Sequence, residues 1–173
     1  MFLFFVGPSR VGKTTLLKSL VSRFQDVEIV DLDKEENSAV KKLKEAGRDP
    51  DGWEARWTRC RLLLDRLERE SQFSSRLLFV DVGAGCLQTE AAFQYFDTYF
   101  RTTILITADF ETILERHKNR DPQELRQTEF SNRHISLYQK LSRVDTGGLS
   151  QEDAAEVLVR IIADIVSGKG QSV

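Results

Sequence analysis

The sequence has no excess of charge of either sign. Its 25 basic and 27 acidic residues leave a net charge of −2, so no global field draws it toward nucleic acid or a membrane surface. No apolar stretch approaches the roughly 18 residues needed to span a bilayer. The first residues are apolar, but they run into a glycine turn with no basic n-region or cleavage site, which argues for a cytoplasmic protein. Cysteine is scarce: Cys60 and Cys86 have neither C-x-x-C spacing nor ligand-rich neighbours and read as two reduced, partly buried thiols. The two histidines, His117 and His134, have no catalytic partner in the pattern and read as ordinary exposed residues. No repeat, linker or low-complexity segment divides the 173 residues, a length that suits one domain with a substantial core.

What is present is concentrated near the N-terminus. Gly7-Pro8-Ser9-Arg10-Val11-Gly12-Lys13-Thr14, followed by Thr15, satisfies G-x-x-x-x-G-K-[ST] at every fixed position. Before it, Phe2 to Val6 reads as a strand buried on both faces. After it, Leu16, Leu17, Leu20, Val21 and Phe24 recur at helical spacing. Gly7 and Gly12 let the backbone turn tightly and present its N–H groups to a polyphosphate. The helix beginning near Lys13 points its free N–H groups and positive dipole end at the same anion. Lys13 supplies a cation for the outer phosphates, and the Thr14 hydroxyl suits Mg2+. This combination predicts binding of a nucleoside triphosphate.

Further strands are expected at Val27 to Asp33, Leu77 to Val82, Thr103 to Thr107 and Arg143 to Thr146. Helices are expected at Glu35 to Ala46, Trp53 to about Glu70, Thr89 to Phe100, from Asp109 to about Lys118, Arg133 to Leu141, and from Ser150 onward. Arg48-Asp49-Pro50-Asp51-Gly52 is a turn-forming cluster, and residues 168–173 form a polar tail. Alternating strands and helices predict an α/β fold, a three-layer doubly wound parallel five-stranded sheet in one domain, residues 1–167. In such sheets ligands sit beyond the strand C-termini. That rule selects the glycine loop, Asp31 with Asp33, and Asp81 with Gly83-Ala84-Gly85. Two residues apart on an extended strand, Asp31 and Asp33 would share a face. One could hold Mg2+ while the other accepts a hydrogen bond from an attacking hydroxyl.

The rest of the chain separates the classes that share this loop. No N-K-x-D motif is present, and Ala84 stands where the glycine of D-x-x-G would fall after Asp81, against a GTPase. Val82, rather than Glu, follows Asp81, which argues against an AAA-type ATPase. Over nearly its whole length the order of motifs resembles that of shikimate kinases and their relatives, the gluconate and nucleoside monophosphate kinases. Asp31-Leu32-Asp33 matches the family's D-x-D, and Gly83-Ala84-Gly85 stands where shikimate kinases carry three glycines.

The resemblance implies ATP and Mg2+ as cofactors, with contacts from Gly7, Ser9, Arg10, Val11, Gly12, Lys13, Thr14 and Thr15. It implies Asp31 with Thr14 on the metal side, and Asp33 on the acceptor side, beside a small-molecule hydroxyl. Asp81 is a secondary candidate for the metal. It further implies Arg116 over the adenine, Arg120 on the phosphates from a lid at about 117–130, and Arg133 near the substrate. Helices at about 35–70 would bind the acceptor.

The acceptor side departs from the pattern. Arg56 and Arg59 both qualify for the arginine that grips a substrate carboxylate, with a solvated helix face as the competing reading. The family's glutamate has no clear counterpart, Ala84 adds a methyl group, and the lid is short. Trp53 and Trp57 suit core packing or an aromatic pocket wall. The expectation is a monomeric ATP-dependent kinase for a small hydroxylated metabolite, without nucleic-acid or membrane partners. The alternative is a nucleotide-binding switch with a degenerate acceptor site.

Overall fold

The computed structural model describes residues 1–48, 51–71, 76–117 and 141–168. Five parallel strands run in the order β2-β3-β1-β4-β5: β1 Phe2–Val6, β2 Val27–Asp31, β3 Leu77–Val82, β4 Thr103–Thr107 and β5 Ser142–Asp145. The α-helices among the described residues are α1 Lys13–Leu20, α2 Leu32–Glu45, α3 Trp53–Ser71, α4 Glu90–Thr98, α5 Phe110–His117 and α6 Gln151–Val166. This is the expected three-layer doubly wound sheet. Residues 118–130 of the expected lid, 133–140 of the expected helix and 49–50 of the expected turn lie outside the described residues, as does the tail beyond 168.

The alternation along β1 shows why the sheet is buried on both faces. Phe4 and Val6 join a core with Trp57, Cys60 and Leu64 of α3 and Phe93 and Phe96 of α4. Leu3 and Phe5 join the opposite core, with Leu16, Leu17 and Leu20 of α1, Ile113 of α5 and Leu158 and Ile162 of α6. Each fully buried side chain of this size contributes about 1.5–3 kcal/mol. Trp57 belongs to the core, edge-on to Tyr95 and Phe96, whereas Trp53 is 41% exposed.

Register brings the strand ends together. Phe5 pairs with Asp81, and Asp81 pairs with Asp31 on its other side, so both carboxylates sit at the same edge of the sheet. One expectation fails here: β2 stops at Asp31 and Leu32 already begins α2. The Asp31 side chain accepts the Lys34 backbone N–H at 2.9 Å, an N-cap that ends the strand. Asp33 is therefore in the first helical turn and does not share a strand face with Asp31. Its negative charge suits that end of the helix. The other differences are small: β5 lies one residue earlier than expected, α4 ends at Thr98, and Ala84–Leu87 forms a 3-10 turn.

Candidate active site

The loop between β1 and α1 has the backbone its motif calls for. A side chain at Gly7 would put Cβ 2.0 Å from the Ile106 carbonyl oxygen, so only glycine lets β1 turn off against β4. Gly12, the N-cap of α1, has φ +94°, and Arg10 holds φ +68°, a conformation that costs a non-glycine residue about 1–3 kcal/mol. Such strain is concentrated where backbone must serve a ligand.

Lys13 is 7% exposed and donates to the Gly7 and Pro8 carbonyls at 3.2 and 3.3 Å. Its ammonium also lies 3.8 Å from Asp81 Oδ1. Thr14 Oγ1 donates to Asp81 Oδ2 at 2.6 Å. Burial pushes the Asp81 carboxyl up, Lys13 and Thr14 pull it back, and Asp31 and Asp33 push it up again; the net direction is upward. The carboxylate that meets Thr14 is thus Asp81, the secondary candidate. Asp31 lines the same cavity but caps α2.

A cavity of about 590 Å3 opens above the loop. Ser9 through Leu16 form its floor, Asp31, Asp33, Asp81, Gly83 and Ala84 one wall, and Arg116, Thr146, Leu149, Ser150, Gln151 and Ala154 the opposite wall. Arg116, from α5, donates to the Arg10 carbonyl at 3.1 Å and the Thr146 carbonyl at 3.2 Å. Thr146 in turn donates to the Val11 carbonyl at 2.7 Å, tying the segment after β5 to the phosphate loop. The resemblance to shikimate kinases implies that the loop around Asp145 to Ser150 flanks the adenine, and Thr146, Leu149 and Ser150 do line this wall; for Gln151 and Ala154 the helix start at Ser150 is the one local cue.

Behind the wall that carries Asp33 runs a chain of alternating charge. Arg56 Nη2 donates to Asp33 Oδ1 at 3.0 Å, and Arg56 Nε lies 3.5 Å from Glu36 Oε2. Arg59 donates twice to Glu36 Oε1, at 2.9 and 2.6 Å. Glu36 is 2% exposed, the buried hub of two arginines. Sequence reasoning missed it because its partners lie on the next helix. The two candidate arginines now separate: Arg56 reaches the cavity-lining Asp33, and Arg59 is engaged with Glu36 and does not line the cavity. Burial pulls the Arg56 guanidinium down, but Asp33 and its other neighbours outweigh it and hold it above its ordinary value.

Gly83 and Gly85 are close-approach positions: a Cβ at Gly83 would sit 1.6 Å from Asp33 Oδ2, and one at Gly85 2.3 Å from the Arg56 guanidinium carbon. Gly85 itself lies behind Arg56 rather than in the cavity wall. Arg120 and Arg133 lie outside the described residues.

Floor, dipole and buried lysine together can hold a polyphosphate, and the oxygen donors of Thr14 and Asp81 suit a hard divalent cation such as Mg2+. Fold and loop define a phosphate-loop protein of the kind built on a parallel five-stranded sheet. The chain belongs to the AAA domain family, whose model matches residues 3–137. The absence of Glu after Asp81 does not remove it from that family, since the match runs from Leu3 in β1 through the loop to beyond β4.

Similar folds are found in three solved structures. A shikimate kinase from Bacteroides thetaiotaomicron superposes with a TM-score of 0.64 at 15% identity, covering 94% of this chain and 98% of the other. A tunicamycin resistance protein from Deinococcus radiodurans gives 0.67 at 20% identity, covering 95% and 94%. A shikimate kinase from Acinetobacter baumannii, in complex with shikimate, gives 0.66 at 17%, covering 94% and 93%. The fold is shikimate kinase-like. No curated protein matches the sequence.

Proposed function

We propose that the protein is an ATP-dependent phosphotransferase that moves the γ-phosphate onto a hydroxyl of a small metabolite. One observation carries this reading: Asp33 lines the same cavity as Lys13 and Thr14, held by Arg56 and seated on Gly83. A site that only bound and hydrolysed a nucleotide has no need of an oriented carboxylate on that wall. The similar folds include shikimate kinases, which agrees with a hydroxyl acceptor.

In this reading the loop N–H groups and Lys13 bind the β- and γ-phosphates and offset negative charge as it develops. Lys13 must exchange its carbonyl partners for phosphate oxygens, which its flexible stem permits. Thr14 and Asp81 would hold Mg2+, which would supply positive charge to offset that of the phosphates. Asp33 accepts the hydrogen bond of the acceptor hydroxyl and takes its proton as the oxygen attacks. Arg56 keeps the carboxylate in one orientation, and Arg116 covers the base beside Leu149. Arg120 and Arg133 are assigned to the transferred group and the acceptor by the resemblance. We place the protein in the cytoplasm as a monomer; no described helix is long and apolar enough to cross a membrane.

A second reading is favoured by the closure of Arg56 on both Asp33 and Glu36: a nucleotide-dependent switch whose acceptor grip is already satisfied. A coupled ADP-release assay over a panel of hydroxylated metabolites, shikimate included, separates the two. Acceleration by an acceptor supports the kinase; flat, slow release across the panel supports the switch.

A further inference from the structure

The two cysteines that look isolated in sequence meet behind the acceptor wall. Cys60 on α3 and Cys86 in the 3-10 turn after β3 place their sulfurs 2.7 Å apart. Neither is bonded in a disulfide, and they are 0% and 1% exposed. Cys86 also donates to Asp33 Oδ1 across 3.6 Å, at the outer limit of a sulfur hydrogen bond. A covalent S–S bond needs about 2.05 Å. The sulfurs are therefore already aimed at each other, and closing the remaining gap asks for a shift of tenths of an ångström in the turn.

We propose that Cys60 and Cys86 form a reversible dithiol–disulfide couple that is oxidised by a small peroxide and controls the hydrogen bonding of Asp33. Access comes from the site itself: Gly83, Ala84 and Asp33 line the cavity, and Cys86 lies directly behind Asp33. Hydrogen peroxide is small enough to pass a carboxylate that swings aside, whereas glutathione disulfide is too bulky for two buried sulfurs.

The chemistry balances in two steps. One thiol, as thiolate, attacks a peroxide oxygen; the O–O bond breaks, the departing hydroxide is protonated to water, and a sulfenic acid forms. The second sulfur then attacks the sulfenic sulfur; the S–O bond breaks, its oxygen leaves as water and the S–S bond forms. Two thiols and one hydrogen peroxide give one disulfide and two waters, two electrons passing from sulfur to oxygen. An external dithiol such as dithiothreitol reverses it by exchange.

Two consequences follow for this structure. Cys86 loses its S–H, so Asp33 keeps Arg56 but loses the thiol donor. The turn at Ala84–Leu87 also becomes tethered to α3, which fixes the wall that carries Gly83 and Ala84. The phosphate loop lies on the other side of the cavity and is untouched. The hydrogen bond with Cys60 and burial push the Cys86 thiol up, so the reaction is slow at neutral pH and accelerates as pH rises.

The experiment treats the full chain with hydrogen peroxide, then counts free thiols under denaturing conditions and maps cysteine peptides by mass. The expected result is loss of both thiols together, a mass lower by two hydrogens, a Cys60–Cys86 linked peptide, and full recovery with dithiothreitol. Cys60→Ser should stop at a sulfenic acid on Cys86 that dimedone traps. A rise in melting temperature of several degrees should accompany the link. Thiols that persist, that oxidise independently to sulfinic acids, or that pair between molecules overturn the proposal. These readouts need no acceptor and no turnover, so they stand or fall apart from the phosphotransferase reading. The part that rests on that reading is a change in acceptor-stimulated turnover with nucleotide affinity unaltered.

Discussion

Asp33 Oδ1 accepts a hydrogen bond from Arg56 Nη2 at 3.0 Å, joining the first turns of α2 and α3 beside the phosphate loop. The contact extends through Glu36 to Arg59, so four charges on two helices balance two against two. The Arg56 Nε is buried without a hydrogen-bond partner although it lies 3.5 Å from a Glu36 oxygen. That atom is attracted by charge but misaligned for a bond, which leaves Arg56 some freedom to turn.

Removing the hub should therefore be costly. Glu36→Ala leaves two partly buried guanidinium groups facing each other, and breaking such a buried pair costs about 3–5 kcal/mol. A lowered denaturant midpoint with unchanged slope is the expected result. Glu36→Gln, which keeps the shape and one acceptor oxygen, should lose less.

Gly83→Ala tests the seat of Asp33. Its Cβ would enter the Asp33 carboxylate at 1.6 Å, so either the carboxylate or the turn must move. Misplacing a reacting group by about 1 Å costs on the order of 10²-fold in turnover. Acceptor-stimulated turnover is expected to collapse while nucleotide titration stays near wild type. Equal loss of both would place Gly83 on the nucleotide side instead.

Lys13→Ala removes the cation proposed to offset phosphate charge and also strips Asp81 of its nearest positive neighbour. Turnover should fall on the order of 10²–10³-fold, with nucleotide affinity falling too. Unchanged turnover would contradict nucleotide chemistry at this loop.

The raised Asp81 carboxyl gives a pH signature. Its ordinary value is 3.8, and burial lifts it in the fold. The folded state favours the protonated acid, so the group's contribution to stability is fully present below the ordinary range. It is lost as pH rises through the folded pKa. The stability of wild type relative to Asp81→Asn should thus decline as pH climbs from below 4 toward neutrality, followed by melting temperature. With Asp81 as the proposed Mg2+ ligand, Mg2+-assisted nucleotide binding in wild type should weaken on acidification earlier than an exposed aspartate would allow. A pH-independent difference in melting temperature would refute the assignment.

The fold was readable because its signals are local. β1 is apolar on both faces, the glycine motif sits between strand and helix, and Ser150 caps α6 with its side chain on the Asp153 N–H. The end of β2 was misjudged because Asp31 fits a strand end and a helix cap equally well, and one hydrogen bond to Lys34 decides it. Choosing between Arg56 and Arg59 needed Asp33 and Glu36 brought in from another helix. The meeting of Cys60 and Cys86, 26 positions apart, depends on how α3 packs on the turn after β3, which no spacing rule encodes.

The most direct test of the central claim is ADP release from Mg-ATP over a hydroxylated-metabolite panel, run on wild type and Asp33→Asn. The account predicts that at least one acceptor accelerates release and appears as its phosphate ester. It also predicts that Asp33→Asn abolishes this acceleration while binding ATP as wild type does. An acceptor-stimulated rate that survives intact in Asp33→Asn, or no stimulation by any acceptor, would contradict it.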